Sequence, residues 1–212
     1  GYLFDYTATA TACLDLYEAT YESHYIQTAK DLMQRVEDKF LSDNGTFHET
    51  ASDGEELLVR QISGYDGVEP SGNSNAAFTL LRLSAYLADP ALSLKAEKIF
   101  LNFNEELMEH GLNSAFMLQA LHLYLGGLKE VAVVGKKNDA ATQELLDTLR
   151  KGFYPNAVFA FAYEDEIGST SIPLLKDRKL VNGKATAYVC RQGTCLEPVH
   201  SVEELVKLLS YE

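Results

Sequence analysis

Displaced against itself by 67 residues, the chain repeats its apolar spacing: Leu14 falls on Leu81, Leu16 on Leu83, Ala29 on Ala96 and Leu32 on Ile99. Self-similarity of this kind marks stacked helix pairs, none of which buries its apolar face alone. The first pair reads as a helix from Asp5 to about Thr20, with Ala8, Ala12, Leu16 and Ala19 on one stripe and Cys13 inside it. A second helix follows with Ile26, Ala29, Met33, Val36 and Phe40 at three-and-four spacing, stopped by Ser42-Asp43-Asn44-Gly45. The second pair comprises a helix from about Ser71 to Leu87, carrying Ala76, Leu80, Leu83 and Leu87, and one after Asp89-Pro90 carrying Ala96, Ile99 or Phe100, Phe103 and Leu107. In this register Asp5 and Tyr6 lie opposite Gly72 and Asn73. The two matching helices therefore start at one end of the array, and their loops line a common face. A fifth helix near Asn113 to Leu125 adds Asn113-Ser114 as a third polar edge.

The stretch from Tyr65 to Asn75 packs two acids, two amides, two serine hydroxyls and two glycines into one loop-to-helix junction. Pro70 and Ser71 are helix-start residues, because proline is tolerated in a first turn and serine accepts from orphan N–H groups. Asp66 and Glu69 thus sit just ahead of a helix, where partial positive charge and backbone donors converge. Residues 46 to 64 form a long excursion, with 47–50 and 57–60 read as short strands around the turn Ser52-Asp53-Gly54. Loops of this length usually carry function or stay disordered.

After Gly126-Gly127 the pattern changes. Val131-Ala132-Val133-Val134-Gly135 reads as a buried strand and is followed by a helix from about Asp139 to Lys151; further strands are expected at 158–161 and 187–190. Ser201-Val202-Glu203-Glu204 spells a capping box ahead of Leu205, Leu208 and Leu209. The fold class expected is mainly α: a helical-hairpin array over 1–127 followed by a small α/β lobe over 128–212. The strand end at Val134-Gly135 lacks the full glycine pattern of a dinucleotide site and reads as an ordinary strand-to-helix turn.

The net charge of −13, without clusters of lysine or arginine, argues against nucleic acid or anionic lipid as a partner. No apolar run approaches a membrane span, and the first residues lack the pattern of a signal peptide. Three cysteines, Cys13, Cys190 and Cys195, are an odd and sparse set, unlike a stapled secreted domain, so a cytoplasmic location is expected. Cys190 and Cys195 have no second ligand pair at zinc spacing; they read as a structural or redox-labile thiol pair rather than as metal ligands. No metal and no cofactor is expected. A first residue other than methionine, with helix beginning by about residue 5, suggests a piece of a longer chain.

Several separated motifs in order, Asp5-Tyr6, Thr50-Ala51-Ser52-Asp53-Gly54-Glu55, Tyr65-Asp66-Gly67, Pro70-Ser71-Gly72-Asn73-Ser74, and Ala187-Tyr188-Val189-Cys190-Arg191 with Cys195 and Pro198, resemble the YyaL-type family. Its animal relatives are called spermatogenesis-associated thioredoxin-like proteins. The resemblance spans essentially the whole chain. It implies an N-terminal thioredoxin-like domain followed by an (α/α) toroid of the six-hairpin glycosidase type, similar to N-acylglucosamine 2-epimerases, with this chain as the C-terminal part. The remainder of the parent chain is then its partner. No Cys-x-x-Cys occurs here, so the family's redox domain is absent and no thiol–disulfide activity is expected of this piece.

On such a toroid Asp66 and Glu69 are candidates for a general acid/base pair acting on a sugar, against the reading in which they cap a helix and bond the loop backbone. Asn73, Ser71 and Tyr65 are candidates for holding sugar hydroxyls, with Asp5 beside them and Tyr6 as a stacking face. The alternative is a polar network closing the inner helices. Epimerases of this fold rely on paired histidines, and no pairing is evident among the five here. His122 reads as a core histidine, and His48 is the one worth testing. A non-catalytic scaffold for the thioredoxin-like domain is the rival to the sugar-binding reading.

Overall fold

The computed structural model describes residues 1–191 and 193–210. Helices α1 (Leu3–Thr20) and α2 (His24–Phe40) form the first hairpin, and α3 (Gly72–Leu87) and α4 (Pro90–Asn102) form the second. Helices α1 and α3 pack side by side with α6 (Ala115–Gly126) beyond, while α2 lies against α1 and α4 against α3. The expected fourth helix breaks at Phe103, so Leu107 belongs to a separate short helix, α5 (Asn104–His110).

The stripe expected on α2 is the one that is buried, Ile26 through Phe40. That on α1 is not. Its buried residues are Leu3, Thr7, Ala10, Cys13, Leu14 and Tyr17, whereas Ala12, Leu16 and Ala19 are exposed. Alanine methyls carry little apolar area, so the larger Leu3, Leu14 and Tyr17 decide which way the helix turns. Helix α3 is buried on almost every side from Gly72 to Tyr86 because it meets α1, α2, α4 and α6 together. Its first turn approaches α1 so closely that a Cβ at Gly72 would lie 2.5 Å from the Leu3 side chain.

The expected strands at 47–50 and 57–60 are absent. That excursion holds only isolated bridges, Tyr2 to Thr50 and Leu41 to Phe47, because the partners it offers are loop and helix ends rather than another strand.

The lobe is a sheet in the order β2-β1-β3-β4, built from β1 (Lys129–Gly135), β2 (Ala157–Tyr163), β3 (Thr186–Arg191) and β4 (Thr194–Cys195). Strands β1 and β2 are parallel and joined through α7 (Ala140–Lys151), as a parallel pair requires; β3 runs antiparallel to β1. Alternation divides the sheet. Ala132, Val134, Val158, Ala160 and Tyr188 join the core of the helical array, while Val131, Val133, Phe161 and Val189 face α7 and α8 (Val202–Ser210). Helix α8 starts from the expected capping box: Ser201 Oγ accepts from the Glu204 N–H at 3.3 Å and donates to its carboxylate at 3.1 Å. No helix among the described residues is long and apolar enough to cross a membrane.

Candidate functional site

The loop preceding α3 and the starts of α3 and α6 converge on Asp66. Its Oδ1 accepts the Ser71 N–H at 2.7 Å, and its Oδ2 accepts those of Phe116 at 2.8 Å and Met117 at 3.0 Å. Its own N–H donates to the Asn113 carbonyl at 2.6 Å. One carboxylate therefore takes up orphan donors at two helix N-termini, where negative charge is favoured. Ser114 Oγ ties the same region to the Gly64 carbonyl at 3.0 Å.

Ser71 is the N-cap of α3: its Oγ accepts the Ser74 N–H at 3.1 Å and lies 2.8 Å from Ser74 Oγ. Asn73 is fully buried. Its Oδ1 accepts from Phe47 N at 2.9 Å, and its Nδ2 donates to the carbonyls of Phe47 at 2.9 Å and Ser63 at 3.0 Å. The amide thereby splices both ends of the 46–64 excursion to α3. Its donors are occupied by backbone rather than held open to a ligand.

The other candidates lie outward. Asp5 is exposed and accepts the Tyr2 N–H at 2.7 Å, capping α1. Tyr6 is half-buried, with its ring 5.4 Å from that of Phe40. Tyr65 is exposed beside Gly67, and Glu69 is exposed with no hydrogen bond or ion pair among the described residues. Five surface clefts among the described residues have walls that do not include Asp5, Tyr6, Tyr65, Asp66, Glu69, Ser71 or Asn73. One of about 710 Å³ lies between α3, α4, α6 and the sheet, with Leu81, Pro90, Tyr124, Glu130 and Gly193 on its wall.

His48 Nδ1 lies 3.1 Å from the Arg60 carbonyl. His122 is not a core residue: it is exposed at the end of α6, with Nε2 3.0 Å from Asn156 Nδ2. Helix α6 is apolar nearly all round, yet only Met117, Ala120 and Leu123 are buried, and the histidine falls on the uncovered side.

Two polar groups had escaped the reading of the sequence. Glu49 is half-buried, with Oε1 unpartnered, and burial pushes its carboxyl up despite a backbone hydrogen bond from Ser63. Arg82 lies in the second half of α3, and a lone charge in an otherwise uncharged helix is the available signal. It pairs with Asp15 at 2.6 Å and Glu18 at 3.3 Å across to α1. Cys190 and Cys195 face one another across β3 and β4 and are joined as a disulfide, while Cys13 is a buried free thiol. Among the described residues no group of three or more histidine, cysteine or acidic side chains is placed to hold a metal ion.

No family model matches the chain. It is 32% identical to human spermatogenesis-associated protein 20, and 31% identical to the proteins of that name from rat and from mouse. Each match covers 99% of this chain and 27% of the relative, so the chain spans about a quarter of the length of the curated relatives it matches. Along essentially its whole length, this chain is similar to one segment of spermatogenesis-associated protein 20.

Proposed function

We propose that the chain is a helical scaffold segment within a longer protein, and that the excursion together with the loop leading into α3, residues 46–70, is its contact surface for the remainder of that protein. The observation that carries this reading is the use of Asp66, Ser71 and Asn73. Their hydrogen-bonding atoms bind the backbone and hydroxyl groups of neighbouring segments, and they line none of the five clefts described above. Leu58 on the excursion and Val68 on the loop after it stand fully exposed, and Leu57, Val59 and Ile62 are exposed as well. Clustered apolar exposure of this sort is a feature of interaction surfaces. The row of α1, α3 and α6 is, in this proposal, an arc of an (α/α) toroid completed by the rest of the parent chain.

The test uses the full-length parent protein. Leu58→Asp with Val68→Asp should lower its thermal stability or release its remaining domains to proteolysis, while leaving the isolated segment's melting temperature unchanged. An unaltered parent protein would sink the reading.

A sugar or similar polyol on the same face is the second reading, favoured by Tyr65 and Glu69, which are exposed beside the acidic Asp66. In it Glu69 is the acid/base partner, Asp66 and Asn73 orient the loop, and Asp5 and Tyr6 line the edge. A panel of monosaccharides and polyols that raises the melting temperature of the parent protein, with the rise lost in Glu69→Gln, would favour it over the scaffold.

A further inference from the structure

Arg178 sits against the Cys190–Cys195 disulfide. Its Nη2 donates to Cys190 Sγ and to Cys195 Sγ, each at 3.3 Å, and its guanidinium lies 4.8 Å from the centre of the Tyr188 ring. Its Nε is buried without a partner, and among the described residues Arg178 makes no ion pair. Glu130, across from Cys190 in the sheet, is the acid that influences it; burial pushes the Glu130 carboxyl up while Arg178 pulls it down. Tyr188 turns its hydroxyl away to the Lys179 carbonyl at 2.7 Å. A half-buried guanidinium aimed at two neutral sulfurs, with the Glu130 carboxyl acting on it only from beyond ion-pair distance, has room for a closer counter-charge. Reduction of the disulfide creates that counter-charge in place, since a thiolate beside arginine is stabilised.

We propose that Cys190–Cys195 is a thiol–disulfide exchange site that accepts two electrons from a dithiol, with Arg178 as the residue that holds the leaving thiolate. Cys195 is exposed and Cys190 is buried, so the incoming thiolate attacks Cys195 Sγ. The Cys190–Cys195 bond breaks as the mixed disulfide to Cys195 forms, and the electron pair leaves on Cys190 Sγ beside Arg178. The second thiolate of the reductant then attacks its own sulfur in the mixed disulfide and releases Cys195 as thiolate. The reductant ends as a disulfide, its two protons pass to solvent or to the protein thiols, and this chain ends as a dithiol. The pair is spaced Cys-x4-Cys, outside the Cys-x-x-Cys pattern. The cleft of about 710 Å³ reaches this hairpin through Glu130 and Gly193, giving a dithiol a way in.

The test treats the folded 212-residue chain with dithiothreitol at neutral pH and alkylates it with iodoacetamide. Peptide mapping then separates Cys190 and Cys195 from the buried Cys13. Both paired cysteines should become labelled while the circular-dichroism spectrum is retained. The pH midpoint of alkylation of Cys190 in the reduced chain should lie below the free-thiol range, rise by about one pH unit or more in Arg178→Gln, and stay low in Arg178→Lys, which keeps the charge. Glutathione, a monothiol, should be found on Cys195 rather than Cys190. The proposal is overturned by a disulfide that resists dithiothreitol until the chain unfolds, or by a Cys190 midpoint that Arg178→Gln leaves in place. Should Arg178→Gln fail to fold, Arg178→Met serves instead: it keeps the length of the side chain and removes the charge, and the Cys190 midpoint must rise in the same way.

Discussion

Arg82 Nη1 lies 2.6 Å from Asp15 Oδ1, and the two residues are separated by 67 positions, the interval of the internal repeat. Thr11 meets Thr79 at 2.7 Å and the Tyr86 hydroxyl donates to Glu18, each pair separated by 68. Three side-chain contacts at nearly one interval mean that α1 and α3 run parallel and in register. The repeat that organises the sequence is thus a physical pairing between its two copies.

The two acids that hold Arg82 should differ in weight. Asp15 is 65% exposed and its pairing is weakened by solvent, whereas the Arg82 side chain is only 6% exposed and Glu18 is 22% exposed. Arg82→Met should cost about 3 kcal/mol by leaving Glu18 and Tyr86 without their cation. Asp15→Asn should cost less than about 1 kcal/mol. Urea unfolding of both variants checks the order, and equal losses would contradict this account of the pairing.

Asn73→Ala should be among the most damaging single changes. It removes the partners of Phe47 N, Phe47 O and Ser63 O inside the protein, at a cost of about 2–4 kcal/mol. The loss should be local as well as global: amide exchange at residues 46–64 should quicken before that of α1 or α2. Uniform quickening would mean that Asn73 does not act as the splice described above.

Much of this was legible because it is periodic. Ile26 to Phe40 on α2 carry large apolar side chains at regular spacing, and that stripe is the buried one; the unbroken apolar run Val131 to Val134 marks a buried strand, but which residue faces which layer shows only in the fold. The face of α1 was misread because its regular stripe is alanine, and because its inner face includes Thr7 and Tyr17. At the junction the sequence displayed the polar residues of 65–75 but not what they bond to. Backbone N–H groups of Phe116 and Met117, some fifty positions away, leave no trace in local composition. The Arg178 contact with the sulfurs is equally non-local, spanning 12 and 17 positions.

Glu49 offers a test by pH. Burial raises its carboxyl above the ordinary value of 4.5, so the folded chain holds this proton more tightly than the unfolded chain does. The contribution favouring the fold is complete below 4.5 and is lost as pH rises through the folded-state value. At neutral pH the charged form is therefore a liability. Glu49→Gln should raise the melting temperature at about pH 7, and the gain should shrink as the pH falls toward 4.5. A gain independent of pH would assign the effect to packing instead.

Three tyrosines predict the alkaline limit of the fold. Burial pushes Tyr17, Tyr21 and Tyr86 up from the ordinary value of 10.0, Tyr21 to about 12. Glu18 adds to the rise in all three, whereas Arg150 opposes it at Tyr21 and Arg82 opposes it at Tyr86. In the folded chain each hydroxyl keeps its proton more tightly than in the unfolded chain. Their contribution is then complete below pH 10.0 and is withdrawn as the unfolded chain ionises between 10.0 and about 12. Melting temperatures should be level up to about pH 9 and fall steeply above about pH 10. Phenolate absorbance should appear in part as a cooperative step that coincides with loss of helix. Tyr17→Phe removes one of the three ionisations from a ring packed at 5.2 Å against Tyr86, and should make the fall shallower. Ionisation of all twelve tyrosines with helix content intact would show that these rings are not held in the interior as described.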